Sequence, residues 1–109
     1  MVSEAIRVRY LRDPLPIRLG GLAADLARIA SFAANPKNRD AVASLLEESK
    51  YFAEWTAPDA PPDIQAVLAE VQISLALWQR RWLAGCPEPL MREHVQRWSN
   101  QLLEQSGLV

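Results

Sequence analysis

Between Leu77 and Trp82 the chain reads LWQRRW, two tryptophans four residues apart with Arg80 and Arg81 between them. Rings interleaved with guanidinium groups can stack on bases, grip a partner protein or close one end of a hydrophobic core. Other side chains with chemical potential are few. There is one cysteine, Cys86, one histidine, His94, and an amino-terminal set of arginines, Arg7, Arg9, Arg12 and Arg18.

Most catalytic arrangements find no support in these residues. Gly20–Gly21 is not followed by the Lys-Ser/Thr pair of a phosphate loop, and no CxxC or HExxH spacing occurs. Glu93 directly precedes His94, so the Glu-x-x-His ligand pattern of bundle di-iron sites is missing. Cys86 lies in a Gly/Pro turn and His94 some two helical turns beyond it, too far for a hydrogen-bonded dyad. No cofactor and no metal site is expected, and the chain reads as non-enzymatic.

Two binding chemistries stay open. Arg7, Arg9, Arg12 and Arg18 could contact phosphates, as in a nucleic-acid-associated regulator. Against this, 12 basic and 13 acidic residues leave a net charge of −1, so no global field draws the chain to nucleic acid or to an acidic membrane. The charge is unevenly spread, however. Residues 1–39 carry seven basic and three acidic groups, and residues 40–70 carry one basic group against seven acidic. The second possibility is a small-ligand pocket between helices near Trp78, His94 and Trp98.

The elements that must position these residues are marked by proline. All eight prolines fall in four stretches, DPLP, ANPKN, TAPDAPPD and GCPEP, and none falls between them. A residue with fixed φ and no N–H delimits helices, so the intervening segments predict helices over about 17–34, 38–55, 62–84 and 89–106. Each carries an apolar stripe at three- and four-residue steps. The first has Leu15, Leu19, Leu22, Leu26, Ile29 and Ala33, with Arg18, Asp25 and Arg28 assigned to the opposite side. The second has Val42, Leu45, Leu46, Ser49, Phe52 and Ala53, and the fourth Met91, Val95, Trp98 and Leu102. Short connections predict antiparallel neighbours. The expected fold is all-α, a small up-and-down four-helix bundle over residues 15–109, preceded by an extended arm over 1–14 in which Ile6, Val8 and Tyr10 alternate with Arg7 and Arg9.

Projected at 100° per residue, the third helix resolves the opening motif. Ile64, Val67, Leu68, Val71, Leu75, Trp78 and Trp82 form one stripe, which assigns both tryptophans to the core. Ile73 and Leu77 fall on a second side with Ala66, Ala69 and Ala84, and Arg80 and Arg81 lie at its edge. A helix apolar on two sides is either surrounded within its own fold or paired with another molecule. The amino-terminal arm, a second copy or a heterologous partner could cover Ile73 and Leu77.

With half the residues hydrophobic and 23% charged, the composition is that of a globular chain. A lone cysteine, no signal-peptide pattern and charged residues within the longest helix predict a cytoplasmic protein with no membrane span. The functional expectation is a helical interaction protein, homodimeric or bound to another protein. Nucleic-acid association and small-ligand binding are its alternatives.

Overall fold

In the computed structural model, which describes residues 3–85 and 89–108, five helices follow one another: α1 (Glu4–Arg12), α2 (Leu15–Phe32), α3 (Arg39–Thr56), α4 (Pro62–Leu83) and α5 (Pro89–Ser106). Short 3-10 turns, Pro36–Asn38 and Ala57–Asp59, lead into α3 and out of it. No strand occurs among the described residues. The four helices expected from the proline pattern start and stop within two residues of their predicted ends. Cys86 lies outside the described residues.

The amino-terminal segment departs from expectation, being helical rather than extended. Ser3 caps α1, its hydroxyl accepting the Ile6 N–H at 3.2 Å, and Glu4 occupies the first turn. Pro14 then holds Asp13 in an extended conformation and ends the helix. A nine-residue helix is marginal alone and depends on tertiary packing. That packing comes through Tyr10, whose ring stacks on Phe52 of α3 with centroids 3.9 Å apart. The Ile6–Tyr10 spacing of one helical turn outweighs a period-two pattern only five residues long.

Polar contacts fix the helix directions. Arg92 Nε donates to the Ala30 carbonyl at 3.0 Å and Ser99 Oγ to the Ala23 carbonyl at 2.7 Å, so α5 ascends as α2 descends. At one end of the α3–α4 pair, Trp82 Nε1 donates to the Arg39 carbonyl at 2.9 Å, while the Arg39 guanidinium donates to the Trp82 carbonyl at 3.1 Å. At the other end, Gln65 Nε2 donates to the Ala57 carbonyl at 2.9 Å. α2 packs closely on both α5 and α3, and α3 on α4. α4 and α5 approach at few points, and the rings of Trp78, His94 and Trp98 meet there.

The core follows the predicted stripes. Leu19, Leu22, Leu26, Ile29, Val42, Leu46, Leu68, Val71, Leu75, Val95 and Leu102 are almost wholly enclosed, and Trp78 and Trp82 are buried with them. The Trp82–Arg39 exchange closes one end of this core. Trp82→Phe keeps most of the apolar surface but removes the donor, and should lower the unfolding free energy by about 1–2 kcal/mol in urea titration. Gly85 ends the α4 segment at φ +78, the left-handed position expected of a C′ glycine.

One assignment is corrected. Arg18 and Asp25 do not face solvent opposite the α2 stripe but are 7% and 3% exposed. Arg18, Leu22, Asp25 and Ile29 themselves repeat at steps of four, three and four, so the two charges flank the apolar stripe. α2 is packed by α5 on one side and α3 on another, with Tyr10 adjoining, and the buried arc is wide enough to enclose that flank.

Candidate interaction surface

α4 is the longest helix, about 33 Å at 1.5 Å per residue, and its inner stripe is saturated by the core. Its outer side is not. Ile73 is 72% exposed and Leu77 46%, with exposed Ala66, Ala69 and Ala84 along the same side. α1 does not cover them, since it packs on α3 through Tyr10, Phe52 and Trp55. Of the three occupants considered for this patch, the chain's own amino-terminal segment is therefore removed.

Arg80 and Arg81 are both exposed at the end of α4. The Arg81 guanidinium stands over the Trp78 ring, 5.1 Å from its centroid, so the buried tryptophan holds the arginine to one flank of the face. Glu70, also exposed, lies on that same flank at helical projection. Sequence reasoning missed Glu70; its eleven-residue spacing from Arg81, close to three helical turns, was the available signal.

The four arginines proposed as phosphate contacts do not form one set. Arg18 is turned inward: its guanidinium donates to the Asp13 carbonyl at 3.0 Å and pairs with Asp59 at 2.9 Å, with the side chain only 8% exposed. It ties the α1–α2 connection to the turn after α3 and is not presented to a ligand. Arg7 pairs with Glu4 at 3.2 Å and lies 6.0 Å from the Trp55 ring. Arg9 and Arg12 are exposed and line a surface groove with Glu4, Ala5 and Val8. An extended arm would have put Arg7 and Arg9 on one side, whereas a helix turns them some 160° apart.

Trp78, His94 and Trp98, the proposed pocket, are brought together, and they pack on one another. His94 meets Trp78 and Trp98 edge-on with centroids 6.0 Å away in each case. Edge-to-face contacts of this kind spread over two helices are a packing arrangement.

A further polar feature went unread in the sequence. Asp25 Oδ1 accepts from Arg28 at 2.8 Å, while the buried Oδ2 meets no hydrogen-bond donor among the described residues. Its neighbour from α3 is the Glu48 carboxyl. Burial first, and then the adjacent Glu48 carboxyl, raise Asp25 to a pKa of about 8, opposed in part by Arg28. Glu48 also lines a cleft of about 360 Å³ with Ile6, Arg9 and Tyr10, which gives the pair a route to solvent. Among the described residues no group of three or more His, Cys, Asp or Glu could hold a metal ion.

Fold and surface together define a compact all-α protein in which Ile73 and Leu77 leave the outer face of α4 apolar and uncovered. Set against protein-family models, curated proteins and solved structures, the chain finds a match in none of the three. No helix among the described residues is long and apolar enough to cross a membrane.

Proposed function

We propose that this chain is a non-enzymatic, cytoplasmic helical interaction protein in which α2 to α5 form an up-and-down bundle and the outer face of α4 binds another protein. The observation that supports it is the exposure of Ile73 and Leu77 in the middle of the longest helix. Apolar side chains grouped on one exposed helix face, rimmed by charge, are characteristic of a surface that is covered in the working state. A lone cysteine agrees with a reducing compartment.

The test is Ile73→Glu combined with Leu77→Glu in the full chain. Neither side chain belongs to the core, so the circular dichroism and the unfolding free energy should stay within about 0.5 kcal/mol of the parent. Association, followed by light scattering and native mass spectrometry, should fall at least tenfold. A folded double variant whose assemblies keep the parent's mass and affinity would remove this face as the working surface.

A further inference from the structure

The outer face of α4 is self-complementary in a way that selects its occupant. In projection Ala66, Ile73, Leu77 and Ala84 fall within a narrow arc, flanked on one side by Glu70 and Arg81 and on the other by Ala69 and Arg80. A two-fold axis perpendicular to a helix reverses residue order and keeps each flank on its own side. With the axis at the level of Leu75, Ile73 of one copy meets Leu77 of the other, and Ala66 meets Ala84. On the charged flank Glu70 comes level with Arg81 to within one residue, about 1.5 Å of rise. On the opposite flank the stem of Arg80 runs over Ala69, with no like charge facing it.

We infer that a second copy of the chain covers this face, its α4 antiparallel to the first, with Ile73 and Leu77 interleaved at the centre and Glu70 of each copy paired with Arg81 of the other. The inference rests on the reading of α4 as the working surface and names its partner. Exposed alanines at both ends of the apolar arc let the two helices approach closely. The reciprocal Glu70–Arg81 pairs occur twice by symmetry and fix the direction. A parallel pair has its two-fold axis along the helices and exchanges the flanks, setting Arg81 of each copy level with Arg80 of the other to within one residue, an arrangement that like-charge repulsion disfavours.

Sedimentation equilibrium of the full chain over a wide concentration series, at low and high salt, tests the assignment. The parent chain should dimerise, more weakly at high salt. Glu70→Arg sets like charges against each other twice and should weaken the dimer about tenfold. Adding Arg81→Glu to it reverses both partners and should restore the affinity to within about threefold, with circular dichroism unchanged throughout. In a Cys86→Ser background, an equimolar mixture of Ile73→Cys and Leu77→Cys chains should oxidise chiefly to the mixed dimer.

A parent chain that stays monomeric at every concentration overturns the second copy as occupant; if native mass spectrometry also finds it bound to no other protein, the α4 face falls with it. A dimer indifferent to Ile73→Glu combined with Leu77→Glu overturns both readings. Failure of Arg81→Glu to rescue Glu70→Arg, or same-residue disulfides outnumbering mixed ones, overturns the antiparallel register.

Discussion

Tyr10→Ala is expected to lower the unfolding free energy by about 3–5 kcal/mol and to release α1 from the rest of the molecule. The ring stacks on Phe52 and lies 6.1 Å from Trp55, so its removal leaves a void between α1 and α3. The hydroxyl is equally engaged. It donates to the Arg18 carbonyl at 2.9 Å, which has no proton to give, and so accepts from Thr56 Oγ1 at 2.8 Å. Burial pushes this phenol up to about 12, so it stays neutral across the physiological range. Because α1 has only nine residues, it cannot remain helical once its anchor is gone. Far-ultraviolet circular dichroism should lose the signal of about one such helix, and Trp55 emission should shift to the red. Tyr10→Phe, which keeps the stack and loses both hydrogen bonds, should cost about 1–3 kcal/mol. Tyr10→Ala with parental stability and helix content would show that α1 is not held by this residue.

Asp25 governs the second large effect, and its sign is opposite to that of an ion-paired surface carboxylate. The folded state holds the carboxyl proton up to about pH 8, whereas the ordinary value is 3.8. Between those limits the folded chain binds a proton that the unfolded chain has released. Stability contributed by Asp25 is therefore complete below about pH 4 and is lost as pH rises toward 8, at up to about 1.4 kcal/mol per pH unit. The groups facing it are Arg28 on its own helix, Glu48 from α3 and Tyr10 from α1. Asp25→Asn carries a neutral amide in place of the protonated acid and removes the titration. Urea unfolding at pH 5 and pH 8 should show the parent losing stability relative to Asp25→Asn by several kcal/mol over that interval. Loss of the Arg28 contact subtracts little, because that arginine is more than half exposed. Parallel pH profiles for the two proteins would mean that Asp25 is ionised in the folded state.

Both predictions concern residues whose roles the linear pattern obscured. Tyr10 read as part of an alternating arm because five residues are too few to separate a period of two from one of 3.6, yet the Ser3 cap and the Ile6–Tyr10 step were present. Asp25 and Arg18 read as solvated because they are charged. Their four- and three-residue spacing with Leu22 and Ile29 held the contrary information. Glu70 drew no attention as a single exposed carboxylate, and acquires a role only when a reversed copy of the same helix is laid beside it. The tryptophans of LWQRRW were legible at once, because 100° per residue places Trp78 and Trp82 on the stripe of Leu68, Val71 and Leu75 whatever the rest of the fold does.

The amino-acid sequence by itself determined the all-helical class, the ends of the four longer helices and the inner stripe of each. These depend on local properties: proline's missing donor, the capping position of glycine, and apolar residues recurring once per turn. Tertiary structure decided what local properties cannot carry. Packing against Phe52 and Trp55 makes α1 a helix; enclosure of α2 by α5 and α3 buries Arg18 and Asp25; and the seating of α1 on α3 leaves Ile73 and Leu77 uncovered. In each case burial depends on which neighbour stands beside a residue, and contacts between residues distant in the chain set that.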